Sequence, residues 1–222
     1  ISSPNALINY WIAFLKYKQG EAFTAYLEKA GVSSPAFIFP FRSEDEPVLQ
    51  WAIKQNDHWM PKYFLALLYK DRNRIEESKK LFMECGDKAD VAPFYAARVA
   101  LPLGTSDLSD LKKAIALDKD GWRYYKLLGE YYIAQKHNEE ALKIIEPFYK
   151  NHSENYIIGT LYAKTLLLNH RYKDCSYLLS KINILPFEGA TTGRQLYREV
   201  LLMQAAEQIK NKNYSRALGF IN

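Results

Sequence analysis

Apolar and polar positions along this 222-residue chain alternate at helical spacing, and short polar groups rich in Asn, Lys and Asp interrupt them. The pattern predicts helices over Asn5–Tyr17 and Glu21–Lys29, split at Gln19-Gly20, and another over Glu44–Gln55. From Trp59 onward the helices come in pairs: Trp59–Gly86, Val91–Leu101 with Leu108–Leu117, Trp122–His152, Tyr156–Ile182, and a last pair running to Ile221. Gly and Pro are few, ten and nine, and they cluster between these stretches. That distribution suits about twelve or thirteen helices and argues against many short strands.

Four of the pairs share one internal spacing. A small residue follows a bulky one in the first helix, a second small residue comes twelve positions later, and a bulky one four after that. The instances are Leu65-Ala66 with Ser78 and Phe82, Leu128-Gly129 with Ala141 and Ile145, and Tyr162-Ala163 with Cys175 and Leu179. The fourth is Gln204-Ala205 with Ala217 and Ile221. Two antiparallel helices approach closely where both carry a small side chain, and a bulky residue one turn on fills the space beside the crossing. Between the small residues lie Asp71-Arg72-Asn73, Lys136-His137-Asn138, Asn169-His170-Arg171 and Asn211-Lys212-Asn213, each polar and Asn-containing as a tight connection requires.

These residues resemble the tetratricopeptide repeat, a helix–turn–helix unit of about 34 residues. Trp122–His152 carries Leu128-Gly129-x-x-Tyr132 and Ala141-x-x-x-Ile145 against the family's L-G-x-x-Y and A-x-x-x-F. Trp59–Gly86 keeps Leu65-Ala66-x-x-Tyr69 and Phe82 with Ser78 for Ala, and Tyr156–Ile182 keeps Ala163 and Leu179 with Leu166 for Tyr. Tyr172 and Tyr214 match the aromatic that often follows the turn. The segment Val91–Asp118 departs from the pattern, lacking the twelve-residue signature although Ala114-x-x-Leu117 looks like a second helix. A loop at Leu185-Pro186-Phe187-Glu188-Gly189 and a longer helix stretch the interval between Ala163 and Ala205. The resemblance implies an all-α fold: a right-handed superhelix (solenoid) of antiparallel helix pairs. The expectation is one helical-repeat domain over residues 1–222, with irregular helices in 1–57 and about five repeats in 58–222, the last truncated. Beginning Ile1-Ser2-Ser3-Pro4 and stopping within a helical pattern, the sequence is expected to be part of a longer polypeptide.

A second resemblance covers Asn56–Tyr63, Ala92–Arg98 and Leu185–Thr191. These runs look like the C-terminal repeat region of large bacterial proteins in which a β-sandwich domain of unknown function, with a galactose-mutarotase-like look, precedes tetratricopeptide repeats. The implied context is carbohydrate-related. The loop Gly31–Ser43, with Phe37, Ile38, Phe39 and Phe41 between prolines, suits either an atypical terminal cap or packing against a preceding domain.

Composition narrows the function classes. Lys and Arg total 30 against 25 Asp and Glu, but residues 1–111 carry 13 basic and 14 acidic side chains while 112–222 carry 17 and 11. A basic second half could favour an anionic partner by long-range attraction, but lysines beside glutamates on polar helix faces are the stronger explanation. No Lys/Arg stripe with interleaved aromatics runs along a helix, so nucleic acid is not an expected partner. No stretch reaches the roughly twenty apolar residues of a membrane span. Cys85 and Cys175 stand on apolar helix sides with no metal-ligand or CxxC spacing, which reads as packing.

Catalytic and metal chemistry find no frame. His58, His137, His152 and His170 fall at helix ends or turns with no HExxH spacing, and no nucleophile elbow or phosphate loop occurs. Gly189–Arg194 has the composition of an anion loop but reads more simply as a helix start with a Thr cap. The acidic clusters Glu44-Asp45-Glu46, Glu76-Glu77 and Glu139-Glu140 lie at helix starts, where the macrodipole favours them. No enzyme activity, cofactor or metal is therefore expected. The resemblance implies a non-catalytic protein–protein or interdomain scaffold that binds a protein, a peptide or an upstream domain through the concave face of its first helices. The side chains placed to face it are Tyr63, Leu67 and Lys70, then Arg123, Lys126 and Glu130, then Thr160 and Lys164. Arg123, Lys126 and Lys164 would form a modest basic patch for a carboxylate-bearing ligand. Glu130 and Lys164 stand where a carboxylate clamp would want Asn, and a solvated polar face is the ordinary alternative. An accessory helical segment of a carbohydrate-active or sugar-binding protein is the other reading.

Overall fold

The computed structural model describes residues 5–101, 107–182 and 191–221. Among them lie thirteen α-helices and no strand: α1 (Ala6–Lys18), α2 (Thr24–Val32), α3 (Asp45–Gln55), α4 (Trp59–Asp71), α5 (Ile75–Cys85), α6 (Ala92–Val99), α7 (Asp107–Leu117), α8 (Trp122–Ala134), α9 (Asn138–Asn151), α10 (Tyr156–Leu168), α11 (Tyr172–Lys181), α12 (Thr191–Lys210) and α13 (Tyr214–Leu218). The expected loop at Leu185–Gly189 lies outside the described residues, and α12 is already helical at Thr191 and Thr192, so neither stands as its expected Thr cap. The chain divides into two compact units, Ile1–Lys119 and Asp120–Asn222.

One turn is built four times. Asn73, Lys136, His170 and Lys212 occupy the left-handed region at φ near +60°, each seven residues after the first-helix small residue and five before the second. In every copy the amide after this residue reaches back five positions: Arg74 N–H to Tyr69 O, His137 to Tyr132, Arg171 to Leu166 and Asn213 to Gln208, all at 2.8–2.9 Å. This is the Schellman closure, which satisfies carbonyls orphaned at a helix end. Gly20, at φ +73°, ends α1 the same way, with Glu21 N–H bonded to Lys16 O at 2.9 Å.

The small residues then meet. Ser78 Oγ donates to Ala66 O at 2.8 Å, and Cys175 Sγ donates to Ala163 O at 3.2 Å, each across the twelve-residue interval. Ala66, Ala163, Ser78, Cys175 and Ala141 are all fully buried. A Cβ added to Gly129 would stand 2.9 Å from both Cδ1 and Cγ1 of Ile145 and 3.2 Å from Leu161 Cδ2, so only glycine fits there without displacing its neighbours.

In the first unit the core is aromatic. Phe94 of α6 packs on Trp59, Tyr63, Phe82 and Tyr95 with ring centroids 5.1–5.9 Å apart. This explains how α6 and α7 join the pattern without the small-residue crossing. Their tie is ionic instead: the half-buried Arg98 donates to the buried Asp110 through Nε at 2.6 Å and Nη2 at 2.5 Å, and also to Gly86 O and Asp87. The helix α2 runs to Val32, three residues past expectation, and Ser33 Oγ donates to Lys29 O at its end at 2.7 Å.

In the second unit Ile145, Phe148, Ile158, Leu161, Tyr162, Ala163, Leu166, Leu167, Cys175, Leu196 and Val200 form one cluster across α9–α12. Charged staples join successive pairs. Arg74 caps α5 and reaches Glu46 of α3 at 2.9 Å and Glu77, its guanidinium 3.7 Å over the Tyr69 ring. Arg171, at the same register, reaches Glu146 of α9 at 3.2 Å and Asp174 at 2.7 Å. Glu46 is lifted by partial burial, but its bonds from Arg74 and Tyr69 and the Arg72 charge outweigh that and hold its carboxyl below the usual range.

Two opposite effects on stability follow. Gly129→Ala should cost about 1–3 kcal/mol through overpacking against Ile145. Lys136→Gly should stabilise by roughly 0.5–1 kcal/mol, because the left-handed conformation costs a non-glycine residue more than glycine loses in chain entropy. Denaturant unfolding of the two variants checks both signs.

Candidate functional site

The side chains singled out in the sequence fall into two groups. Tyr63, Leu67 and Lys70 are on α4 of the first unit. Tyr63 is 3% exposed and ringed by Trp59, Phe64, Phe82 and Phe94, so its place on an open face is corrected to the core: four aromatic neighbours consume the ring. Leu67 and Lys70 are half-buried, and burial lowers the Lys70 ammonium below its ordinary range.

The other five lie on α8 and α10, which pack beside each other in the second unit. Lys126 and Thr160 both precede the small residue of their helix by three, and Glu130 and Lys164 both follow it by one, so the register sets like positions side by side. Lys126 Nζ pairs with Glu130 at 2.6 Å along its own helix, which removes it from the expected cationic patch. Thr160 Oγ1 donates to Tyr156 O at 2.8 Å. Arg123 is exposed with its guanidinium 4.5 Å over the Trp122 ring, and Lys164 is exposed; neither forms an ion pair among the described residues. The face therefore carries two cations without an ion pair among the described residues, Arg123 over the Trp122 ring and Lys164, beside one neutralised pair.

The histidines are dispersed. His152 stacks on Phe148 at 4.2 Å with Nδ1 3.1 Å from Phe148 O, and His170 Nδ1 lies 2.8 Å from Tyr172 Oη. His58 Nδ1 accepts the Met60 N–H at 3.2 Å and so caps α4. Burial pushes the two thiols up, Cys85 to about 12 and Cys175 to about 11. Among the described residues no group of three or more His, Cys, Asp or Glu is placed to hold a metal, and no helix is long and apolar enough to cross a membrane.

The loop after α2 presents a feature that the alternation of its sequence only hinted at. Ile38 and Pro40 point inward while Phe37, Phe39 and Phe41 are 94%, 69% and 69% exposed, and Phe37 sits at φ +60°. A bulky side chain in the left-handed region is a genuine outlier.

No family model matches the chain, and no curated protein is significantly similar to it. Solved structures do match. The crystal structure of YrrB, a TPR protein with an unusual peptide-binding site, superposes with a TM-score of 0.57 at 12% identity, covering 78% of this chain and 88% of YrrB. The MamA RS-1 ArsTM double mutant gives a TM-score of 0.50 at 12% identity over 91% of this chain and 96% of that one. At such identity the likeness establishes the fold: all-helical, in tetratricopeptide-like pairs.

The His58 cap carries a pH signature. Its acceptor nitrogen must be unprotonated, and burial, with Lys88, lowers its pKa below the ordinary 6.5 against the opposing pull of Asp90. As pH falls through 6.5 the unfolded chain takes up a proton that the folded one refuses, so stability present above 6.5 declines until the folded value is passed. His58→Asn keeps a capping oxygen without titrating. Melting temperatures at pH 7.5 and 5 should fall further for the wild type than for His58→Asn; equal declines would refute the assignment.

Proposed function

We propose that this protein is a non-catalytic interaction scaffold, and that the α8–α10 face takes an extended peptide bearing carboxylates. The observation that carries this is the pair Arg123 and Lys164: exposed cations on adjacent first helices, with no ion-pair partner among the described residues. Most other basic side chains in this fold with a structural part to play, such as Arg74, Arg98 and Arg171, are already paired. The tetratricopeptide-like fold supports the reading, since helix-pair repeats leave their first-helix side chains free as an extended surface. YrrB, of the same fold, has a peptide-binding site. Uncommitted cations draw an anionic chain by long-range attraction and place it by short contacts.

An array of acidic and neutral peptides probed with the labelled protein tests it. Acidic peptides should be retained, and Arg123→Glu with Lys164→Glu should weaken retention at least tenfold, while Lys126→Ala changes it little. Retention of the same peptides by the double variant, with its helical circular dichroism intact, would overturn the assignment.

A second reading concerns the first unit, where the exposed Phe37, Phe39 and Phe41 favour packing of this loop against another domain. The carbohydrate-related context for that domain rests on the resemblance of the runs at Asn56, Ala92 and Leu185 to large bacterial proteins.

A further inference from the structure

The repeat register puts one lysine in an apolar place. Four residues after the small residue of each first helix stand Lys70 in α4, Ile133 in α8, Leu167 in α10 and Ile209 in α12. In the second unit Leu167 belongs to the apolar cluster and Ile133 packs against it. In the first unit the same position carries an ammonium group, half-buried, as is Leu67 three residues before it. Other buried or half-buried lysines of this unit are held by acids: Lys16 by Glu21, Lys62 by Asp57, Lys79 by Glu76 and Lys113 by Asp87. Lys70 forms no ion pair among the described residues.

Taking an ammonium partly out of water with no opposite charge beside it disfavours the charged form. Burial accordingly holds the Lys70 pKa below the ordinary lysine value. A larger share of its amine is therefore unprotonated at neutral pH than in a solvated lysine, and the unprotonated amine is the nucleophile.

We propose that Lys70 is an acylation site, at which Nζ attacks a small acyl phosphate. The lone pair of the unprotonated Nζ forms a bond to the carbonyl carbon. The bond from that carbon to the phosphate oxygen breaks, phosphate leaves with the electron pair, and the surplus proton on nitrogen passes to water. Half-burial admits a small donor. The product relieves what the register imposes, since a neutral amide replaces a charge at a position that is apolar in the other pairs. The site lies in the first unit and shares no residue with the α8–α10 face.

The test incubates the whole chain with acetyl phosphate at pH 7.5 and 9.5 and follows each lysine by peptide mass spectrometry. Lys29, half-buried without an ion pair among the described residues, and the exposed Lys54 serve as internal standards. At pH 7.5 Lys70 should be acetylated at least about fivefold faster than either. The ratio should shrink at pH 9.5, where solvated amines also lose protons. In guanidinium chloride the three should react alike; a preference that persists there would belong to local sequence and overturn the proposal. So would a Lys70 rate no greater than those of Lys29 and Lys54, or a ratio indifferent to pH. Lys70→Met gives a readout free of the reagent. With the unpaired charge removed, its melting temperature at pH 7.5 should exceed that of the wild type, and a fall would show that the ammonium stabilises the fold and refute its assignment as a nucleophile.

Discussion

Everything in these helix pairs depends on how closely two backbones approach at one point. Where Ser78 Oγ rests on Ala66 O and Cys175 Sγ on Ala163 O, the second-helix side chain is bonded to the first helix's own main chain. No larger residue could hold that separation. The distance dictates the turn, since helices this close need a sharp reversal, and the reversal needs a residue at positive φ. It also dictates the filler, because a close crossing leaves a wedge-shaped gap one turn on. Phe82 and Ile145 fill it at zero exposure. Gly129 is the tightest case: the filler itself occupies the space of the missing Cβ.

The crossing stabilises a pair but not a stack, and two further devices join pairs. One is apolar, the covering of each filler by the next first helix. The other is ionic. Arg74 and Arg171, one residue after the left-handed position, each reach a glutamate on an earlier helix and an acid three residues on. Pairs like these, open to solvent, add little to stability. Their stronger effect is on geometry, since a guanidinium fork fixes orientation as well as distance. The α6–α7 pair shows the exchange between devices. It lacks the twelve-residue pairing of small residues and carries instead the Arg98–Asp110 bridge, in which loss of Arg98 would leave the buried Asp110 charge unpaired.

The pairs, the turns and the irregularity of Val91–Asp118 were legible in the sequence because each follows from spacing, and spacing is a property of one helix face at a time. The α2 end lies three residues past the sequence expectation, where Ser33 Oγ bonds Lys29 O, a side-chain choice that the apolar spacing does not encode. Tyr63 was misplaced for a related reason. Its position in the repeat points toward an open face, but Phe94 on α6, in the one pair without the signature, closes over it. Lys126 illustrates the limit for charge. Its i,i+4 partner Glu130 was visible in the sequence, yet whether the two join or separate depends on side-chain geometry.

Charge has a similar division of labour. The surplus of basic residues over 112–222 looks diffuse in the sequence, 17 against 11. In the fold it separates into cations that are spent and cations that are not. Arg171, Lys150 and Lys126 are held by Glu146, Asp174 and Glu130. Arg123 and Lys164, on α8 and α10, stay exposed without an ion-pair partner among the described residues. Such charges give little to folding, and like charges gathered at one surface cost the compact state a small repulsion. Unpaired charges of this kind contribute to long-range attraction and encounter rates rather than to the stability of the fold.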